Sequence, residues 1–465
     1  MPDMDSYDFV VIGGGSAGYA GARTAHALGL RTAVIEGAEQ LGGLCILRGC
    51  MPSKTLLESA RRYRIIRNAD EFGLSTHRHC FDISKVIARK RRLIAGFSEY
   101  RAGQLQDGRF DLLRGTAEFT GTNSLLVTSP DGSRIAIEAK SILIATGSAV
   151  SHPPIPGLED AACLTSDDLL DRESVPESLI VLGGGPVALE MASFARAFES
   201  RVTLIQRSPQ ILRGSDKDAA DALAEGLRKD GIEILTGTKL LRIEKCAAGR
   251  RAVFLHEGQE KSVESAEILN ALGRHAVIPD RVPVEIKDGK LAVSLSQQTS
   301  LPHIFAAGDV CSPLEVVHIG IQQGEVAARN AARLLRGAKE PMELMDYRLN
   351  LFAVFTEPGF ASVGASEAEL TALGVPFRTA KYPFDDHGKS LVMDETSGFV
   401  KLTADARSGE ILGASIVGPE AAELIHEIVV AMHFHATAAD LAAVPHYHPT
   451  LSEIWTYPAE ELASS

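Results

Sequence analysis

The sequence predicts an α/β protein with two Rossmann-like nucleotide-binding domains followed by a C-terminal α+β region. Three observations carry that prediction. A buried-strand pattern, a glycine turn and a small-residue helix occur in that order twice, near residues 7–28 and 179–198. Each helix leads into a further strand, as a doubly wound parallel sheet requires. From about Pro341 the pattern changes to alternating strands and amphipathic helices. At 465 residues, the chain has room for two or three domains.

Residues 7–12, Tyr-Asp-Phe-Val-Val-Ile, form the first strand. The turn Gly13-Gly14-Gly15-Ser16-Ala17-Gly18 follows, then a helix to about Leu28 and a strand over 32–35 that ends in Glu36. Strand, glycine turn, helix, strand and acid together form the dinucleotide fingerprint in its required context. Gly13 makes the turn, Gly15 lets a pyrophosphate reach the backbone, and Gly18 lets helix pack on strand. Glu36 can accept hydrogen bonds from ribose hydroxyls.

The next stretch is Gly42-Gly43-Leu44-Cys45-Ile46-Leu47-Arg48-Gly49-Cys50-Met51-Pro52-Ser53-Lys54, followed by a helical pattern over 55–66. Five helical residues advance about 7.5 Å, whereas a disulfide wants Cα atoms roughly 4.4–6.8 Å apart. If Cys45 and Cys50 bond, the segment is therefore a loop or a distorted first turn. Gly42, Gly43 and Gly49 supply the freedom for that bend. A helix starting near Pro52 and the nearby Lys54 both favour a thiolate. Two readings stand at this point: a redox-active pair, or two buried or metal-binding cysteines.

Cellular context bears on the choice. The N-terminus, Met1-Pro2-Asp3-Met4-Asp5, is acidic and lacks the basic and apolar regions of a signal peptide. The apolar stretches are broken by glycines and read as strands rather than a membrane span. The chain is expected to be cytoplasmic, where the disulfides that occur are usually catalytic or redox-sensing. That favours the redox reading for Cys45 and Cys50 and leaves Cys80, Cys163, Cys246 and Cys311 as inert thiols. Hydrophobic content of 45% is that of a globular protein, and a net charge of −13 argues against nucleic acid or anionic membrane as the main partner. The basic runs Arg61-Arg62-Tyr63-Arg64 and Arg89-Lys90-Arg91-Arg92 read as solvated helix faces.

The chain is expected to stay helical and charged to about Glu118. Strand patterns follow at Ser124–Thr128 and over 134–138, then a buried strand over 141–148 that contains Ala145-Thr146-Gly147. The proline-rich residues 151–157 read as a linker. The second fingerprint has a strand over 179–182, the turn Gly183-Gly184-Gly185-Pro186-Val187-Ala188, a helix over 189–198 and the strand Arg201–Ile205. Here Gln206-Arg207 replaces the terminal acid. An acid favours the free ribose hydroxyl of NAD, whereas arginine accommodates the 2′-phosphate of NADP. Arg207 and Arg213 thus favour NADP(H) over NAD(H); the alternative is that both simply face solvent. Further on, Ile304-Phe305-Ala306-Ala307-Gly308-Asp309-Val310 is a strand with an acid-tipped turn, suited to a ribityl or phosphate group. The helix after it carries Gln322-Gln323-Gly324-Glu325. Near the end, His446-Tyr447-His448-Pro449-Thr450-Leu451-Ser452-Glu453 places two histidines and a carboxylate in a proline-marked turn. Imidazole carries protons near neutral pH and a carboxylate fixes its tautomer. A metal site and a satisfied surface histidine are the alternatives.

These motifs, in this order, resemble the flavin-dependent pyridine nucleotide–disulfide oxidoreductases, which include dihydrolipoamide dehydrogenase, glutathione reductase and mercuric reductase. The likeness runs from end to end. It implies an FAD domain in two segments (1–150 and 275–340), an NAD(P) domain (151–274), a C-terminal dimerisation domain (341–465), and a homodimer. It implies that electrons pass from the nicotinamide through the flavin to a Cys45–Cys50 disulfide. By the same resemblance Cys50 is the thiol beside the flavin and Cys45 the thiol that attacks substrate. His448 of the second copy moves the proton and Glu453 orients it, while Lys54 pairs with Glu190. The implied FAD residues are Gly13, Gly15, Ser16, Gly18, Glu36, Gly43, Lys54, Ala117, Thr146, Gly147, Asp309 and His318. Those implied for NAD(P) are Gly183, Gly185, Pro186, Val187, Gln206, Arg207, Arg213 and Gly273; no resident metal is expected.

Departures from the family pattern bear on substrate. The tail Glu461-Leu462-Ala463-Ser464-Ser465 lacks the paired cysteines of mercuric reductases, and Pro52-Ser53-Lys54 resembles the dihydrolipoamide dehydrogenase branch. A small disulfide or a lipoyl-carrying protein is the expected partner. Leu44 stands where threonine is usual, and Trp455 and Tyr457 are expected to narrow the substrate channel. A transhydrogenase, or a quinone or oxygen reductase with the cysteines as a switch, is the alternative activity.

Overall fold

The computed structural model describes residues 5–75 and 79–464. Residues 1–4 of the acidic N-terminal stretch and Ser465 of the C-terminal tail lie outside the described residues. The chain divides into two compact units. One comprises the chain up to Pro52, Ala88–Ser151 and Gly273–Asp346; the other comprises Ser53–Ile87, His152–Leu272 and the chain from Tyr347 onward.

The first unit is built on a seven-stranded sheet in the order Asp111–Arg114, Thr32–Glu36, Asp5–Ile12, Arg134–Ile144, Ser124–Thr128 and Thr116–Phe119, with Ile304–Ala306 also paired to Arg134–Ile144. Its central pairs are parallel. Alternation along the strands explains the two apolar layers. Val10, Ile12, Ile142 and Ile144 enter one buried cluster. Phe9, Val11, Leu143 and Ala145 enter the other, so both faces are covered, as a parallel sheet demands. Helices Ser16–Ala27 and Val317–Leu335 cover the second face. They cross where a Cβ on Gly324 would lie 2.2 Å from the Ala17 carbonyl oxygen, so only glycine fits there.

The second unit contains a four-stranded parallel sheet, Ile232–Leu235, Arg201–Ile205, Ser178–Leu182 and Glu267–Asn270, with an antiparallel sheet formed by Lys239–Cys246, Gly249–His256 and Gln259–Ser265. It also contains a five-stranded antiparallel sheet in the order Leu351–Val354, Gly359–Gly364, Ile411–Gly418, Phe399–Asp405 and Phe377–Pro383. Helix Ala421–His433 buries Ile425, Ile428 and Met432 in the cluster lining that sheet. No helix among the described residues is long and apolar enough to cross a membrane.

Several expectations are corrected. The helix expected from Pro52 begins at Cys50 and runs to Arg67. The region before Glu118 is not helical throughout: helix Ile83–Leu105 ends, and strands Asp111–Arg114 and Thr116–Phe119 take over. The strand patterns over 134–138 and 141–148 are mostly one strand, Arg134–Ile144. The basic runs are not simply solvated faces. Arg61 pairs with Glu420, Arg64 pairs with Asp230 at 2.5 Å, and Lys90 is buried. The partners of Arg61 and Arg64 lie 359 and 166 residues away in the chain, where no local pattern reveals them.

Candidate active site

The cysteine stretch is shaped by its glycines. Cys45 sits in a one-turn helix, Gly43–Leu47, which ends at Arg48 with φ −142° and ψ 11°, outside the helical region. A Cβ on Gly49 would meet the Leu44 carbonyl oxygen at 3.0 Å and Cys45 Cα at 3.3 Å. Gly49 therefore lets the chain fold back over Cys45 before the next helix starts at Cys50. Both cysteines are half-buried. At the first position of an 18-residue helix, Cys50 lies where the helix dipole favours a thiolate. By contrast, burial pushes the Cys163 thiol up to about 11 and the Cys311 thiol up to about 12, which leaves both protonated and unreactive at neutral pH.

The first glycine turn performs the roles its spacing suggests. Gly13 has φ +104°, and its Cβ would lie 2.4 Å from the Ala145 carbonyl oxygen; a Cβ on Gly18 would lie 1.8 Å from the Gly13 oxygen. Among the described residues, and leaving out its chain neighbours, the only atom within 4 Å of a Cβ on Gly15 is Gly43 Cα, at 3.9 Å, so the backbone there is open to a ligand. Ser16 starts a helix whose N-terminal N–H groups have no side-chain cap and no acidic neighbour in the first turn, a setting that suits a pyrophosphate. Glu36 accepts hydrogen bonds from the N–H groups of Gly14 and Ala38, both at 2.8 Å. Thr146 donates to the Val277 carbonyl at 2.5 Å, and Gly147 has φ +73°. Asp309 accepts from the Ser148 hydroxyl at 2.5 Å, and Ser148 is itself held by Arg274 at 2.8 Å. Buried Gln323 accepts from Gly308 N–H at 2.8 Å, fixing the turn that carries Asp309. Ala117 is half-buried on strand Thr116–Phe119, and His318 is the second residue of helix Val317–Leu335. An open glycine backbone, an uncapped helix end and a held acid form a donor set that fits a flavin dinucleotide.

The second turn repeats the logic in the other unit. Gly183 has φ +119°, its Cβ would lie 2.3 Å from the Ala271 oxygen, and nothing lies within 4 Å of a Cβ on Gly185. Pro186 opens the helix Pro186–Ala197, which has no side-chain cap, and Val187 beside it is exposed. Gln206 packs on Gly184 and accepts from the Arg207 N–H at 2.9 Å. Arg207 and Arg213 are exposed, and neither side chain is engaged in an ion pair among the described residues. Gly273, at φ +121°, opens the last segment of the first unit.

Two further pairs lie in the second unit. Lys54 Nζ reaches both oxygens of Glu190 at 2.8 Å and lies 4.6 Å from the centre of the Phe355 ring. Glu190 is buried and also accepts from Phe355 N–H at 3.2 Å. His448 Nδ1 lies 3.0 Å from Glu453 Oε2 and 3.2 Å from Oε1. The imidazole is exposed and the carboxylate mostly buried, at 78% and 10% of their side-chain surface. The other histidine of the motif, His446, is tied to Glu427 at 2.6 Å and to the Val444 carbonyl at 2.9 Å. Trp455 does not narrow a channel, because it is fully buried, with its indole N–H on the Leu424 carbonyl at 3.2 Å. Tyr457 stacks on Tyr382 with ring centres 3.8 Å apart. Sequence reasoning missed His387, which the fold brings behind Glu453, at 3.4 Å. The segment Phe384-Asp385-Asp386-His387 carries no motif that could have signalled it.

Residues 7–324 match the family model for pyridine nucleotide-disulphide oxidoreductases, and residues 352–459 match that family's dimerisation domain. The chain is 34% identical to the dihydrolipoyl dehydrogenase of Bacillus subtilis, over 96% of each chain. It is 33% identical to dihydrolipoyl dehydrogenase 3 of Pseudomonas putida, over 97% of each. Among solved structures it is similar to LpdA of Mycobacterium tuberculosis, with a TM-score of 0.86 and 26% identity over 99% of this chain and 100% of that one. It is also similar to the HOCl-induced flavoprotein disulfide reductase RclA of Escherichia coli, solved as a Cu(II) complex, with a TM-score of 0.84 and 27% identity over 98% of this chain and 100% of that one.

Proposed function

The chain belongs to the pyridine nucleotide-disulphide oxidoreductase family, and from that membership we propose how its own residues divide the work. It is a dihydrolipoamide dehydrogenase-like flavoprotein disulfide oxidoreductase, and it carries the family's dimerisation domain. FAD, when bound, supplies the two-electron station between the nicotinamide nucleotide and the cysteine pair. Gly13, Gly15 and the helix end at Ser16 would hold its pyrophosphate, Glu36 its ribose and Asp309 its ribityl chain. Residues 1–150 with 275–340 form the FAD domain in this reading, 151–274 the NAD(P) domain and 341–465 the interface domain.

The reduced Cys45–Cys50 pair is the working form toward a disulfide substrate. The Cys45 thiolate attacks one substrate sulfur, forming a mixed disulfide as the other sulfur leaves as a thiolate. The His448 imidazolium, from the second copy in a homodimer, gives its proton to that leaving thiolate. The Cys50 thiolate then attacks the Cys45 sulfur, the second substrate sulfur departs as a thiolate that takes its proton from water, and the Cys45–Cys50 disulfide closes. Electrons and atoms balance: two enzyme thiols become a disulfide and the substrate disulfide becomes two thiols. Glu453 holds the imidazole in its tautomer, and Glu190 fixes Lys54 beside the start of the cysteine helix. The observation that carries this reading is the chain reversal at Gly49, which places Cys45 against the turn leading to Cys50. The names of the relatives support a lipoyl dithiol or disulfide as substrate. Exposed, unpaired Arg207 and Arg213, with Gln206 in place of an acid, support NADP(H) as the nucleotide.

The FAD-loaded protein is therefore expected to reduce lipoamide with NADPH, with kcat/KM at least ~tenfold above that for NADH, about 1.4 kcal/mol of transition-state binding. Cys45→Ser should abolish the turnover while leaving FAD bound. Equal or better use of NADH overturns the role given to Arg207, and persistent turnover in Cys45→Ser overturns that of Cys45.

A further inference from the structure

We infer that His387 is a positioning residue that supports Glu453 from its buried side, so that the catalytic pair is in effect a chain His448–Glu453–His387–Ser390. The inference rests on His448 acting as the proton carrier. His387 is fully buried. Its Nδ1 lies 2.9 Å from the Ser390 hydroxyl, one turn along the short helix Gly388–Met393. Its Nε2 lies 3.4 Å from Glu453 Oε1 and has no hydrogen-bond partner among the described residues. The ring is held edge-on against Phe384, at 6.5 Å and 77°, and against Tyr457, at 6.4 Å and 84°. That packing fixes its plane, with Nε2 on the side of the Glu453 carboxylate.

The chemistry follows from burial. The titratable groups facing His387 are Glu453 and His448 from the C-terminal turn and Tyr457 from the last helix. On the neighbouring strand, Tyr382 stacks on Tyr457 and bonds Asp386 at 3.0 Å. Burial pushes the Tyr382 phenol up to about 12, so it brings no charge. Burial lowers the affinity of His387 itself for a second proton, against the opposing pull of Glu453. A neutral imidazole has one N–H. The Glu453 carboxylate beside Nε2 favours the tautomer that carries its N–H there, in which the Ser390 hydroxyl donates to Nδ1. The distance of 3.4 Å exceeds a normal N–H···O bond, and a shift of a few tenths of an ångström closes it. Glu453 then has a donor on each side: His448 on the exposed side and His387 on the buried one. A donor to a carboxylate favours its charged form. Without His387, the buried carboxylate has no support on its inner side and its affinity for a proton rises. The proton shared by the Glu453–His448 pair is then held to higher pH.

Titration of His448 by NMR on the FAD-loaded, 13C-histidine-labelled protein tests this without any substrate, with His448→Gln assigning the signal. A silent lipoamide assay would count against the proposed substrate and not against His387. His387→Phe, which keeps the ring but no nitrogen, should raise the titration midpoint by about half a pH unit or more. His387→Gln, which restores an N–H near the Nε2 position, should return it to the wild-type value. Ser390→Ala removes only the hydroxyl that donates to Nδ1 in that tautomer and should shift it in the same direction as Phe. Should His387→Phe fail to fold, Ser390→Ala decides the question. A midpoint unchanged in Phe and Ala, or shifted equally by Phe and Gln, overturns the assignment.

Discussion

Single residues show how far burial, rather than sequence neighbours, sets chemistry in this protein. The Glu357 carboxyl is pushed up to about 7 by burial and by the nearby Glu395, against the pull of Arg61 and Arg64, with Glu420 adding to the rise. The folded state therefore binds a proton at Glu357 between its ordinary range near 4.5 and about 7, where the unfolded chain has lost it. Stability contributed there is full below the ordinary value and falls as pH rises toward 7. The Glu357 side chain still exposes 38% of its surface, so water screens much of the effect. Glu357→Gln, which cannot ionise, should show a melting temperature that gains on the wild type between pH 5 and pH 8. A gap that stays constant or narrows over that range rules out this account. Nothing in the sequence around Glu357 signals this, because Arg61, Glu395 and Glu420 come from three other segments. The same is true of His387, which is 66 residues from Glu453 in the chain. By contrast, Lys54 and Glu190, 136 residues apart, were paired in advance through family resemblance, which no local pattern would have supplied.

At the scale of elements, the glycine turns were legible because their constraint is local. A strand, a turn with positive φ and a tightly packed helix need the same few residues wherever they occur. Gly13 and Gly18 clash with nearby backbone once a Cβ is added, while Gly15 and Gly185 do not. The first two answer to the fold; the second two leave the backbone open, as the proposed nucleotide sites require. Gly324 is the less obvious member of this group. It stands in a helix 306 residues from Gly18, yet it faces the backbone of the helix Ser16–Ala27. Gly324→Ala should force that helix outward, costing roughly 1–3 kcal/mol as overpacking, and should disturb the first nucleotide turn. The expected result is a lower melting temperature together with less FAD retained after gel filtration. Full FAD content in a destabilised variant would separate the crossing from the nucleotide site. Helix boundaries were less legible: the start at Cys50 rather than near Pro52 depends on how Gly49 folds over Cys45, a contact no propensity encodes.

At the scale of the whole molecule, the proposed division of one site between two copies has a consequence measurable in mixtures. Cys45→Ser and His448→Gln should each be nearly inactive alone. Mixed dimers of the two, made by co-expression, contain one site with both residues intact if the site is shared across a two-fold axis. Random pairing at equal amounts should then recover about a quarter of the wild-type rate, the fraction set by one good site in half of the dimers. No recovery would place both residues of a working site on the same chain. The cysteine stretch and the nucleotide turn meet in another way, within a single chain. A Cβ on Gly43 would lie 2.6 Å from Gly15 Cα, so the proposed redox motif and the proposed phosphate turn touch through two bare backbones. A side chain gained at position 43 would collide with the turn at position 15, whereas one gained at position 15 would stop 3.9 Å from Gly43, so the constraint runs one way and falls on position 43 for as long as that turn lies against it.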